Sequence, residues 1–136
     1  MEDNLVLRNL INAPLGITER LDSIKSKRMG GVTTNYIPSV AEVANLIKSI
    51  PKGQTRTIKE LRMEMAKLHK TDTACPAKIL KYWKWMASLP DGLKVTNKQF
   101  DIPWWRVLKD GKLSRHMPGG VDYQRKILNS EGVVVE

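Results

Sequence analysis

The chain reads as a mainly helical domain closed by a small β-hairpin. Three observations carry that reading. Two Ser/Thr-x-x-Glu boxes, Ser39 with Glu42 and Thr57 with Glu60, each open an apolar run at helical spacing. A third such run follows Pro76, and farther on an Asp110-Gly111 pair stands between two short β-prone stretches. Asp-Gly in that setting specifies a two-residue hairpin, because both turn residues must accept positive φ.

At 136 residues and 41% hydrophobic content the chain is one domain by length, with enough apolar surface for a modest core. Its formal charge of +9 is large for this size. A balance of that kind suits a polyanionic partner, nucleic acid first. No apolar run reaches the roughly 18 residues of a membrane-spanning helix, and Met1-Glu2-Asp3-Asn4 lacks the basic start of a secretory signal. A cytoplasmic protein with no membrane partner is expected. The single cysteine, Cys75, excludes an internal disulfide and a multi-cysteine zinc site. His69 and His116 stand apart, neither at metal-ligand spacing, so both read as surface or boundary residues and no metal or cofactor is expected.

In chain order, residues 1 to 37 read as an N-terminal arm or extension and residues 38 to 136 as the winged-helix domain. The arm holds an apolar cluster, Leu5, Val6, Leu7, Leu10 and Ile11, broken by Pro14 and Gly16. A basic stretch from Ser23 to Arg28, with Lys25 and Lys27, then ends at Gly30-Gly31. Ser39 caps a helix over about 39 to 49 whose apolar positions are Val40, Val43, Ala44, Ile47 and Ile50, and Pro51 stops it. After a turn at Pro51-Lys52-Gly53, Thr57 caps a second helix of about 12 residues bearing Ile58, Leu61, Met65 and Leu68 on one stripe.

Pro76 suits the first turn of a third helix running to about Ser88. At about 100° per residue, Ile79, Leu80, Trp83, Met86 and Ala87 share one side, and Lys78, Lys81, Tyr82, Lys84 and Trp85 the other. Three lysines and two aromatic rings with no acid among them make a face suited to phosphates and to stacking or wedging against bases. The plainer alternative packs Tyr82 and Trp85 against the arm and leaves the lysines solvated. Residues 38 to 100 hold 12 Lys/Arg against 5 Asp/Glu, a net +7 of the total +9, so most of the field belongs to these helices and their flanks.

From Ser88 to Ile102 the chain is rich in turn formers, Leu89-Pro90-Asp91-Gly92, with Lys94 and Lys98 beyond them. Arg106 to Ser114 is predicted as a small β-ribbon with Lys109 and Lys112 flanking its tip. Helix, turn, helix and hairpin together make the winged helix-turn-helix arrangement. Met117-Pro118-Gly119-Gly120 reads as a loop and Val121 to about Asn129 as a last helix, with Gly132 as its stop.

Ile102-Pro103-Trp104-Trp105-Arg106-Val107-Leu108, then Asp110-Gly111-Lys112-Leu113, Gly119-Gly120, Gln124 to Leu128 and Glu131-Gly132, resembles the C-terminal half of the O6-alkylguanine-DNA alkyltransferases. Ile50-Pro51-Lys52-Gly53 before a capped helix resembles the start of that family's helix-turn-helix, so the likeness spans roughly residues 50 to 132. In the family the first run reads Ile-Pro-Cys-His-Arg-Val, and its cysteine accepts the alkyl group. Trp104 stands for that cysteine and Trp105 for the histidine, the mark of the alkyltransferase-like proteins, which bind alkylated guanine without repairing it.

The resemblance therefore implies a protein that is not an enzyme. The relay that activates the cysteine through a histidine and a glutamate has lost two of its members, and an indole neither attacks carbon nor shuttles a proton at neutral pH. Glu131 matches the glutamate and is expected to survive as a structural hydrogen-bond acceptor, while Arg106 braces the wall. The implied lesion pocket comprises Trp104, Trp105, Arg106, Met117, Pro118 and Gly119. The implied DNA contacts are Thr57, Lys78, Lys81, Tyr82, Lys84, Trp85, Lys109 and Lys112.

By the same resemblance, the second helix of the motif enters the minor groove and the damaged nucleotide is flipped out of the stack, which a weakened base pair makes easier. The family's arginine finger has no counterpart, since no arginine lies between Arg62 and Arg106, leaving Lys78, Lys81 or Tyr82 to fill the vacated stack. Ile58 takes the place of a family tyrosine, and Met117-Pro118 stands where the family has Tyr-Ser before Gly-Gly. The expected role is recognition of O6-alkylguanine-type lesions in double-stranded DNA and their marking for repair, with nucleotide excision repair proteins as downstream partners. Two other readings stay open: a winged-helix protein of regulation or architecture that binds undamaged DNA, and an enzyme in which Cys75 takes the alkyl group.

Overall fold

The structure is a computed structural model that describes residues 14–89 and 101–135. It begins with β1 (Ile17–Arg20), a one-and-a-half-turn helix α1 (Ser23–Arg28) and β2 (Thr34–Ile37). Asp22 caps α1 by accepting from the Lys25 N–H, and α1 buries none of its side chains. β1 pairs antiparallel with β2, and β2 pairs in parallel with the two-residue β4 (Thr73–Ala74), so the extension is joined by backbone to the turn of the helical domain. The apolar cluster from Leu5 to Ile11 and the connection carrying Lys94 and Lys98 lie outside the described residues.

Both capping boxes form. α2 (Val40–Lys48) starts at Ser39, whose hydroxyl accepts from the Glu42 N–H while the Glu42 carboxylate accepts from the Ser39 N–H. α3 (Ile58–Leu68) starts at Thr57 with the same exchange to Glu60. Between them Gly53 takes φ +89°, the positive value that the tight turn after Pro51 requires. α4 (Pro76–Ala87) places Pro76 in its first turn. α5 (Gly120–Ser130) ends as expected at Gly132, where the Val133 N–H reaches Leu128 O and the Gly132 N–H reaches Asn129 O.

α2 and α3 both pack on α4. Trp83, Ile79 and Met86 of α4 meet Ile47, Leu61 and Met65 in one core, each at most 1% exposed. Chain placement after α4 is set by Trp83, whose indole N–H donates to Trp104 O at 2.8 Å.

The predicted ribbon from Arg106 to Ser114 needs correction. Trp104–Arg106 is a single 3₁₀ turn, and Val107–Leu108 (β5) pairs in parallel with Arg56–Thr57 (β3), matching Arg56 to Val107 and Thr57 to Leu108. Val107 and Leu108 are both buried, so they take their partner inside the domain, while Lys112-Leu113-Ser114 offers no comparable apolar edge. Only the tip survives: Asp110 and Gly111 adopt φ +53° and +74°, and Lys109 bridges Lys112 across them. The wing is thus a tight turn on the end of β5.

Candidate nucleic-acid interface

The start of α3, the start of α4 and the tip of the wing enclose one groove of about 480 Å³, lined by Ile58, Lys59, Arg62, Pro76, Ala77, Leu80, Lys109 and Asp110. Its floor is apolar, and its rim carries Lys59, Arg62 and Lys109. Backbone pairing between β3 and β5 fixes the wing beside the first turn of α3, so Lys109 is held by two short strands. Arg62 is oriented by its Nε donating to Ala74 O at 2.7 Å, and its two terminal nitrogens make no hydrogen bond among the described residues. A surface of this kind can hold a phosphate backbone between the two helix starts and the turn.

Of the residues expected at DNA, Lys81 and Lys84 are exposed along α4, Lys109 and Lys112 are exposed at the wing, and Lys78 is half-buried. Lys84 lies about 9 Å farther along the helix than Lys78. Thr57 spends its hydroxyl oxygen on the helix cap, leaving its O–H hydrogen as what it can offer a phosphate. Tyr82 and Trp85 do not stand out with the lysines. Both are half-buried against the core, where the plainer alternative had put them against the arm, because rings of that size bury apolar area wherever a helix flank allows. Lys59 and Arg62 were missed by sequence reasoning. Their spacing of three after the Thr57 cap puts them on one side of α3 and would have found them.

The region expected as a lesion pocket is built differently. Pro103, with φ −75° and ψ 66°, makes an inverse γ-turn in which the Trp104 N–H reaches Ile102 O at 2.7 Å. That turn drives Trp104 inward to 3% exposure, and Met117 is buried to the same degree. Trp104 is therefore a core residue and no open stacking surface. Trp105 remains half-buried, edge-to-face with Trp104 at 6.0 Å between centroids. Tyr123, absent from the expected set, lies with its ring 6.3 Å from that of Trp104 and over Gly119, where a Cβ would come within 2.5 Å of it. Gly119 has φ +75°, a second reason for glycine at the start of α5, and Pro118 is half-buried before it.

Behind the tryptophans, Arg106 and Glu131 form a two-pronged ion pair. Arg106 Nη2 donates to Oε2 at 2.7 Å and Nε to Oε1 at 3.0 Å, and Nη1 donates to Ile50 O at 3.0 Å. The Arg106 hydrogen bond, opposed by burial, holds the Glu131 carboxyl below its ordinary value, with help from the nearby Trp105 indole. That indole nitrogen is buried without a partner in good hydrogen-bond geometry. Gln124, wholly buried, donates to both Trp105 O and Val107 O and so ties α5 to this segment. Glu131 is thus the structural acceptor the sequence suggested.

Cys75 occupies the N-cap of α4 without a side-chain capping bond, its N–H donating to Tyr36 O. His116 is exposed, but His69 is more than a boundary residue. It stacks on Tyr36 at 3.6 Å, and its Nε2 lies 2.9 Å from Glu42 Oε2, a carboxylate that also accepts from Tyr36 O–H and Gly16 N–H. Burial pushes Glu42 up, and the hydrogen bonds from Ser39, Tyr36 and Gly16 with the nearby His69 outweigh it and bring the carboxyl below its ordinary value. Burial and this same carboxylate push Tyr36 up to about 12. No group of His, Cys, Asp and Glu side chains fit to hold a metal occurs among the described residues, and no helix there is long and apolar enough to cross a membrane.

No curated protein matches the chain. Residues 38–133 match the family model of the 6-O-methylguanine DNA methyltransferase DNA-binding domain. That range takes in the Ser39 box, both helices that line the groove, the wing and the Arg106–Glu131 pair. With most of its length inside that match, the chain belongs to the 6-O-methylguanine DNA methyltransferase family and carries its DNA-binding domain.

Proposed function

We propose that this protein recognises O6-alkylguanine-type lesions in duplex DNA, transfers no alkyl group, and leaves the lesion marked for another repair pathway such as nucleotide excision. The observation that carries the reading is Trp104: an indole occupies the position where the resemblance puts the alkyl-accepting cysteine, while Arg106 still pairs with Glu131 and Gln124 still holds the Trp105 carbonyl beside it. The one thiol of the chain, Cys75, belongs to the cap of α4 and has no base among its hydrogen-bond partners in the described residues. With Trp104 buried, the surface left for an extrahelical base is the half-buried face of Trp105 together with Tyr123, whose ring lies 6.3 Å from that of Trp104.

Intact-mass measurement after incubation with an O6-methylguanine duplex tests the absence of transfer. The mass is expected to stay unchanged; a gain of one methyl group would overturn the absence of transfer and favour the reading in which Cys75 is the acceptor. Trp105→Ala tests the pocket. It is expected to remove discrimination between damaged and plain duplex, whereas Lys59→Ala weakens both alike, and retained discrimination in Trp105→Ala would move the pocket elsewhere. A second reading, a protein for undamaged DNA, is favoured by the burial of Trp104, since the basic groove is complete without any base pocket.

A further inference from the structure

We infer that the N-terminal extension, which lies outside the family match, carries a second contact to the DNA backbone through Lys25, Lys27 and Arg28 of α1. The inference rests on the family's DNA-binding face being used by this chain. From residue 23 to 31 there are three Lys/Arg and no acid. All three are exposed, and none makes an ion pair among the described residues.

Position makes this more than a solvated run. Lys59 and Arg62, which rim the groove at the helix starts, also line an adjoining cleft whose other walls are Val32, Met63, Ala66, Asp72 and Thr73. Val32 thus brings the end of the extension's loop to the same two cations. Arg28 is four residues from Val32, a span of at most about 14 Å. The loop is anchored: Asp72 Oδ2 accepts from the Thr33 N–H at 3.0 Å, the Thr33 hydroxyl at 2.8 Å and the Thr34 N–H at 3.2 Å, and the Asp72 N–H donates to the Thr34 hydroxyl. β2 and β4 add their parallel pairing directly before α4.

Gly30 and Gly31 both take positive φ, +72° and +91°, and nothing lies within 4 Å of where a Cβ on either would sit. Their N–H groups are taken by Lys27 O and Ser26 O at the end of α1, so what the two glycines offer is open space on the Cβ side, which lets a phosphate chain approach closely. Lys109, Lys59 and Arg62 share one groove, and Lys59 and Arg62 share the next cleft with Val32, four residues from Arg28; each phosphate neutralised adds about 0.9 to the salt slope of binding.

Two measurements on a plain duplex of about two turns test this. In the first, lysine acylation of the full chain is read by mass spectrometry with and without DNA. Lys25 and Lys27 are expected to be protected together with Lys59. Protection of Lys59 with Lys25 and Lys27 still reactive would overturn the inference and leave DNA binding intact, whereas no protection anywhere would remove both. In the second, Lys25→Ala/Lys27→Ala/Arg28→Ala is expected to lower the slope of log K against log salt by about 2 to 3. Lys25→Arg/Lys27→Arg/Arg28→Lys should keep the slope, and an unchanged slope in the alanine variant would contradict the contact. Because α1 buries none of its side chains, the alanine variant should keep its fold.

Discussion

Arg106→Ala removes a side chain that joins three parts of the chain. It deletes both prongs to Glu131, at 2.7 and 3.0 Å, and the bond to Ile50 O at the end of α2. The Glu131 side chain is only 8% exposed, so little water is at hand to replace the lost donors. Breaking one side of a buried pair costs about 3–5 kcal/mol, against about 0–1 kcal/mol for a surface pair. Arg106 itself keeps 15% exposure, which argues for the low end, about 3 kcal/mol. A domain of this size has about 5–15 kcal/mol in total, so the loss should be plain in a urea denaturation curve. Glu131→Gln keeps the shape and loses less, and the double variant should lose less than the sum of the two. A loss under about 1 kcal/mol for Arg106→Ala would refute the reasoning, because it would place the pair among solvent-screened surface contacts.

Stability should also fall at both ends of the pH scale. Glu42 and Glu131 have depressed pKa values in the folded state, so their contribution is full above the ordinary glutamate range and is lost as pH falls through the folded values. Tyr36 is raised to about 12, so its contribution is full below the ordinary tyrosine value and is lost as pH rises toward that figure. Thermal melts from acid to alkaline pH check both limbs, and Glu42→Gln should flatten each. Gly119→Ala should destabilise by at least about 1–2 kcal/mol from its left-handed backbone alone, before the collision with Tyr123, as read by urea titration. Lys59→Ala should weaken binding to plain and lesion duplex alike and lower the salt slope by about 1, checked by anisotropy across a salt series.

The helical half of this fold was legible because its signals are local. Ser39 with Glu42 and Thr57 with Glu60 announce helix starts within four residues, and Gly132 announces a stop. The extension's sheet was illegible because β4 is two residues long and its partner β2 lies nearly forty residues upstream, a separation that leaves no periodicity to read. The wing misled for a related reason. Asp110-Gly111 fixes a turn, but whether Val107 and Leu108 pair across it or with Arg56 and Thr57 depends on which edge buries them, a tertiary matter.

At the site, residue types were read better than their exposure. Trp104 and Trp105 look alike in sequence, and it is the γ-turn at Pro103 that sends one into the core and leaves the other at its edge. Glu131 as an acceptor followed from the resemblance. Its geometry with Arg106 joins residues 25 apart, a contact that only the fold could supply.

The most direct test of lesion recognition is the anisotropy of this protein, at one fixed salt concentration, with matched duplexes holding guanine or O6-methylguanine at a single position. Tighter binding to the lesion by at least tenfold, about 1.4 kcal/mol, is the predicted result. Equal affinity for the two duplexes would contradict it, leaving a domain that holds the DNA backbone and reads no damage.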